Sequence, residues 1–187
     1  MKLVAMEKEY ELHLEIKGEQ ASELLFSNLQ YERLLRLNPY WVIKELKEEG
    51  GDYFAQCEDH ETNEPFSFSG CLRSVNSGGV TIEMKGLPWQ SISLFERDSV
   101  LWARVVFETE PDEKEEQKLI YWLRSIREYM RLYATTSLWT RMHRYLMNKV
   151  LLPMTPSQRK ISLMLVRLSI LEVVIILIIV VGYFYFN

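Results

Sequence analysis

The 187-residue chain is poor in the residues that usually carry recognisable chemistry. It has two cysteines, Cys57 and Cys71, and three histidines, His13, His60 and His143. These lie far apart with no metal-ligand spacing, so neither a zinc site nor a disulfide framework is expected. Two cysteines fit a reducing compartment. Strand alternation puts them on opposite faces of a sheet, which argues against a bridge. Glycine is also scarce, at eight residues. No G-x-x-x-x-G-K-[ST], G-x-G-x-x-G or G-x-S-x-G run occurs, which removes the usual phosphate cradles and the nucleophile elbow. No cofactor is therefore expected. Residues 1–10 carry Lys2, Glu7, Lys8 and Glu9 and no apolar run, so no secretory leader is expected there.

Basic charge is missing from most of the chain. Residues 1–116 hold 24 of the 26 acidic groups and 12 of the 22 basic ones, a net −12. Residues 117–187 hold 10 basic and 2 acidic groups, a net +8. An acidic body argues against nucleic acid, whose phosphates need clustered Lys and Arg. The basic part lies just before the chain's one long apolar run.

That run, residues 168–186, reads LSILEVVIILIIVVGYFYF. A helix needs about 20 apolar residues to cross a bilayer core. These 19 suffice, with Leu168, Val173, Ile176 and Ile179 in the hydrocarbon and Tyr183 and Phe186 in an aromatic belt at the far headgroups. A single-pass C-terminal anchor is expected, with a buried core helix as the alternative. Arg167 can snorkel to the near interface. Glu172 is either a functional intramembrane carboxylate or one close enough to the surface to stay wet. Arg141, Arg144, Lys149, Arg159, Lys160 and Arg167 precede the span, which by the positive-inside rule turns the N-terminal domain toward the cytoplasm and Asn187 outward.

Before the anchor, the chain reads as a sheet and helices. Residues 10–17 alternate, with Tyr10, Leu12, Leu14 and Ile16 on one side and His13 on the wet one. Two short helices follow, the first beginning at a Ser22 cap and the second over about 28–37, stopped by Asn38-Pro39. Six strands come next: 41–49, 52–60, one around 66–73, one around 80–85, 89–96 and 101–109. The joins are short (Gly50-Gly51, Thr62 to Pro65, Asn76 to Gly79, Gly86 to Pro88, Arg97 to Ser99), so neighbours should be antiparallel. Glu110-Pro111-Asp112-Glu113 starts a helix. Its stripe is Leu119, Trp122, Leu123, Ile126, Tyr129, Met130, Tyr133 and Ala134. A second stripe, Leu138, Trp139, Met142, Tyr145, Leu146 and Val150, is rotated from the first, which predicts a break near Ser137. With Arg141, His143 and Arg144 on its polar side, this segment either lies in the headgroup layer or packs back on the domain. Pro153 and Pro156 precede the anchor helix, which Thr155 caps.

Strand, helix pair, six antiparallel strands and long helix, over residues 5–134, resembles the START-like superfamily of helix-grip proteins (polyketide cyclases, the birch-pollen allergen group, START lipid-transfer proteins and coenzyme Q-binding relatives). The resemblance implies an α+β fold in which a seven-stranded antiparallel sheet curls around the long helix, to which the chain adds the transmembrane helix. The chain is thus expected to divide into a domain at 1–136, a basic juxtamembrane segment at 137–160 and the anchor at 161–187. The resemblance also implies an apolar cavity that takes a lipid, quinone or similar hydrophobic small molecule. Strand residues facing such a cavity would be Tyr10, Leu12, Leu14, Tyr53, Phe68, Ile82 and Met84. Trp122, Ile126 and Met130 would face it from the helix. Arg104 is either a cavity cation for an acidic headgroup or an exposed strand residue. The chain departs from the family in its short Gly50-Gly51 turn and in its anchor.

Three functions remain open: a membrane-tethered binding module, a cyclase or aromatase-type enzyme, and a cavity-less scaffold whose acidic surface recruits a protein partner. The enzyme needs polar groups converging in the cavity, and only Arg104, Tyr10 and Tyr53 are eligible.

Overall fold

A computed structural model of the chain describes residues 6–15, 29–75, 79–133 and 137–186. It divides into two units, residues 1–153 and 154–187.

The first unit is built on strand alternation. β1 (Met6–Glu15), β2 (Trp41–Glu49), β3 (Asp52–Asp59), β4 (Pro65–Val75), β5 (Gly79–Lys85), β6 (Trp89–Arg97) and β7 (Val100–Phe107) form one sheet in the order β1-β7-β6-β5-β4-β3-β2. All neighbours are antiparallel. Strands 2 to 7 therefore follow one another as a meander, and β1 is added at the far edge beside β7. Leu101, Ala103, Val105 and Phe107 are wholly buried, while Arg104 between them is exposed. That parity is the period-two rule at work. Gly50 and Gly51 take φ of 63° and 90°, which the tight β2–β3 turn requires and side chains resist.

Three register shifts break the ladders, between Glu11 and Glu15 in β1, Ile43 and Glu45 in β2, and Trp89 and Ser91 in β6. At the first, His13 sits at φ 49°. Bulges bend a strand and sharpen its twist, and here they curve the sheet toward one face.

That face receives α2 (Glu113–Arg131). Asp112 caps it: its side chain accepts from the Glu115 amide at 2.6 Å, and Glu115 reaches back to the Asp112 amide at 3.3 Å, a full capping box. Pro111 thus lies before the cap and not inside the first turn. Leu119, Trp122, Leu123, Ile126, Tyr129 and Met130 are all buried, so this part of the stripe read from the sequence is the face that meets the sheet; Ala134 lies outside the described residues. The shorter α1 (Tyr31–Arg36) packs beside α2, with Tyr31, Leu34 and Leu35 buried. It starts three residues later than expected because Gln30 is still extended. The first of the two expected short helices, and Ile16, lie outside the described residues.

α3 (Leu138–Leu146) begins at the expected break. The Ser137 hydroxyl accepts from the Thr140 amide at 3.3 Å. A π-helical turn, Met147–Leu151, continues it. The second unit is one helix, α4 (Pro156–Phe186), of 31 residues. Thr155 and Gln158 cap it reciprocally, at 2.9 and 3.3 Å. Its mean hydropathy reaches 2.9, so it is long and apolar enough to cross a membrane. Leu168, Val173, Ile176, Ile179 and Tyr183 are all exposed on it; the Phe186 side chain lies outside the described residues.

Candidate functional site

Aromatic rings pack into the space between sheet and α2. Trp41 lies 5.0 Å from Trp122, 5.2 Å from Phe68 and 6.3 Å from Trp89, centroid to centroid. Trp89 and Trp122 are 6.3 Å apart. The Trp122 indole donates to the Leu34 carbonyl at 2.8 Å, which fixes α2 to the end of α1. Leu12, Leu14, Phe68, Ile82, Met84, Trp122, Ile126 and Met130, expected to face this space, are all buried in it. Tyr10 and Tyr53 are half-buried against the same core. Tyr53 stacks on Tyr31 at 4.3 Å.

Among the described residues, the Tyr31 hydroxyl and the Trp89 indole N–H are buried without a hydrogen-bond partner. Each such orphan costs about 1–3 kcal/mol. Burial pushes the Tyr31 phenol well above its ordinary value, so it stays protonated and can donate. The deep Tyr129 hydroxyl is matched. Tyr129 donates to Asn148 Oδ1 at 3.0 Å, lies 3.0 Å from the Tyr133 hydroxyl, and accepts from Arg33 at 3.3 Å. Asn148 also donates to Tyr133 at 3.0 Å. Burial, then the Tyr133 hydrogen bond, push the Tyr129 phenol up to about 12. This cluster joins α1, α2 and the π-helical turn. Sequence reasoning missed it, since its members lie up to 115 residues apart.

Where β1 meets α2, the packing opens into a cleft of about 340 Å³. Tyr10, Glu11, Leu12 and His13 form its strand wall, and Ile120, Leu123, Arg124 and Arg127 its helix wall. The volume lies in the range of small-molecule sites. Leu12 and Leu123 belong to the buried core, so the floor is apolar and continuous with the interior. The rim is charged. Arg124 lies over the Tyr121 ring at 5.6 Å, Arg127 contacts Glu128 at 2.6 Å, and His13 sits 3.0 Å from Glu11. Just beyond the cleft, Glu116 holds β1 to α2. It accepts from Lys8 at 2.7 Å and from Tyr10 at 2.8 Å, and these two donors hold its carboxyl below the usual range.

Arg104 is not at this site. It stands on the outer face of β7, bonded to Glu7 and Glu9 at 2.8 Å, with the Phe95 ring 5.2 Å away. The period-two rule forces this, because its neighbours Ala103 and Val105 face in. The reading of Arg104 as a cavity cation is therefore corrected. The cations lining the cleft are Arg124 and Arg127, on α2. A second hollow, about 510 Å³, is bordered mainly by polar residues, among them Glu83, Lys85, Gln90 and Glu108, with Met84 also in its lining. Cys57 and Cys71 are free thiols. Among the described residues no group of three His, Cys, Asp or Glu is placed to hold a metal.

No family model matches the chain, and no curated protein matches it. Solved structures do. An aromatase/cyclase from Streptomyces sp. R1128 is 10% identical, with 71% of this chain and 98% of that one covered and a TM-score of 0.47. A STAR-related lipid transfer protein from Xanthomonas axonopodis is 11% identical, covering 67% and 84%, with a TM-score of 0.43. A major latex-like protein from Panax ginseng is 11% identical, covering 68% and 98%, with a TM-score of 0.43. By its own topology, a seven-stranded antiparallel sheet gripping one long helix, the chain has a helix-grip fold.

Proposed function

We propose that the chain is a membrane-tethered module that takes up a hydrophobic small molecule with an acidic end. The observation that carries this is the β1–α2 cleft, with its apolar floor and arginine rim. An alkyl or ring portion would lie on Leu12, Ile120 and Leu123, and a carboxylate or phosphate would pair with Arg124 and Arg127. Tyr10 stands at the mouth. Leu14, Tyr53, Phe68, Ile82, Met84, Trp122, Ile126 and Met130 form the interior into which a longer ligand would extend as rings shift. The proteins it is similar to include one named for lipid transfer and one named an aromatase/cyclase.

The tether is α4, read as a single span. The basic residues before it turn the domain toward the cytoplasm. A ligand of this chemistry partitions into the bilayer, so a tethered domain meets it at high local concentration. The reading is tested on full-length protein in nanodiscs with a fluorescent long-chain carboxylic acid. Saturable binding is expected, weakened at least about tenfold by the pair Arg124→Glu and Arg127→Glu, which removes two charge-assisted contacts. Uptake that never saturates, or that ignores the pair, overturns it.

The contacts among Trp41, Trp89 and Trp122 favour a second reading, a filled interior serving as a scaffold. Its acidic surface would then recruit a basic protein, and capture would be lost on adding salt.

A further inference from the structure

α3 is mounted with its greasy side out. Leu138 is 85% exposed, Trp139 66% and Tyr145 64%, and Met142, Leu146 and Val150 are exposed with them. At 100° per residue these six share an arc of about 140°. The opposite side, Thr140, His143, Arg144, Met147, Asn148 and Leu151, is half-buried. An amphipathic helix on a soluble domain does the reverse and buries its apolar stripe.

This orientation is fixed by contacts. Asn148 is bonded to both Tyr129 and Tyr133. The Arg144 guanidinium lies over the Tyr133 ring at 5.1 Å. Met147 packs on the core. Rolling α3 to hide its apolar arc would break all three. The polar residues expected on its wet face are thus divided: Arg141 points out, and His143 and Arg144 turn in.

We infer that the outer face of α3 lies in the plane of a bilayer surface, with its apolar arc at the acyl boundary of anionic lipid. This rests on reading α4 as a membrane span. Four residues, 152–155, separate the π-helical turn from α4, at most about 14 Å of chain. The anchor begins at Ile161, five residues into α4 and about 8 Å further along it, which keeps α3 within reach of the headgroups. Residues 138–151 hold three Lys or Arg and one His but no Asp or Glu, which suits an anionic surface. Trp139 and Tyr145 are the ring types that favour the interface. Lys149, in the π-helical turn, can snorkel from the apolar side to the phosphates.

The test uses full-length protein in nanodiscs holding one chain each, made of phosphatidylcholine with phosphatidylserine. Emission of Trp139 is isolated by subtracting the spectrum of Trp139→Phe. Lipids brominated high on the acyl chain should quench that difference signal about twofold or more, while aqueous acrylamide should barely reach it. In Leu138→Glu/Met142→Glu/Leu146→Glu the same signal should lose bromolipid quenching and become open to acrylamide. If the chain enters the discs but Trp139 is quenched by acrylamide and not by bromolipid, the inference fails and the tether stands. If Trp139 is shielded from both only when two chains share a disc, a second copy covers the face and the inference fails. If the chain does not enter the discs at all, the tether fails, and this inference with it.

Discussion

Gly70 and Tyr31 show how tightly a single position can be set. A Cβ on Gly70 would run into the Glu83 carbonyl and the Tyr31 hydroxyl. The Glu83 carbonyl belongs to the β5 backbone and cannot yield. Gly70→Ala should therefore destabilise the domain by about 2 kcal/mol or more, within the usual cost of overpacking, read as a lowered urea midpoint at unchanged slope. Tyr31→Phe removes a hydroxyl with no hydrogen-bond partner among the described residues, so it should stabilise the domain by about 1 kcal/mol or more. A loss above about 1 kcal/mol would mean that the hydroxyl has a partner such as a bound ligand. Arg104 gives the matching lesson for charge. Its alternation with buried neighbours already contained the answer, since a residue between Ala103 and Val105 cannot share their face. Arg104→Ala should leave acid binding in the β1–α2 cleft unchanged, measured with the same fluorescent acid.

At the scale of elements, two ion pairs clamp α2 across the sheet. Glu116 ties it to β1 through Lys8 and Tyr10. Lys118 ties it to the end of β3, 2.7 Å from Asp59. For Asp59, burial alone would push the carboxyl up, but Lys118 and the Glu61 and Thr62 amides outweigh it, and the net is a lowered value. Glu116 is likewise lowered. A depressed carboxylate contributes stability that is present above its unfolded value, about 4, and is lost as pH falls through the folded value. Acid should thus loosen both clamps together. Glu116→Gln should cost about 1 kcal/mol at neutral pH, since the pair is partly exposed, and should flatten the acid limb of a stability–pH curve. An unchanged limb would show that the clamp contributes nothing. These elements differ in how far they could be read beforehand. β2 to β7 were legible to within a residue or two, because a half-buried strand writes its face into every second position. α2 was legible from its stripe and acidic start. The Tyr129–Tyr133–Asn148–Arg33 cluster was not, because no local period marks a contact between α1 and a turn beyond residue 146. The outward roll of α3 was also hidden. Its stripe was plain, but which way a stripe faces is decided by partners such as Tyr133. In the cleft, Tyr10 and Leu12 were legible from alternation; Arg124 and Arg127 were not, because spacing along a helix does not say which strand will lie opposite it.

For the whole molecule, the uneven charge is what the proposed orientation rests on. Of the ten basic residues in 117–187, six (Arg141, Arg144, Lys149, Arg159, Lys160 and Arg167) lie in α3, the π-helical turn and the first half of α4. Short cationic flanks stay on the cytoplasmic side of a span, where leaflet charge and insertion both favour them. The domain should therefore be inside and residue 187 outside. Asn187→Cys tests this, because the native thiols give a low background. Cys57 is buried, which pushes its thiol up to about 12, and Cys71 is buried beneath Arg73 and Glu83. A membrane-impermeant maleimide added to intact cells should label the introduced thiol at once, while protease added outside leaves the domain whole. Labelling only after lysis, together with external digestion of the domain, would mean the opposite insertion. The arginine pairs before the span would then face the outer leaflet, and the cleft could not sample a cytoplasmic pool of ligand. Reversing the flank, by Arg159→Glu, Lys160→Glu and Arg167→Glu, should shift a measurable fraction of chains to that opposite topology if these charges set it.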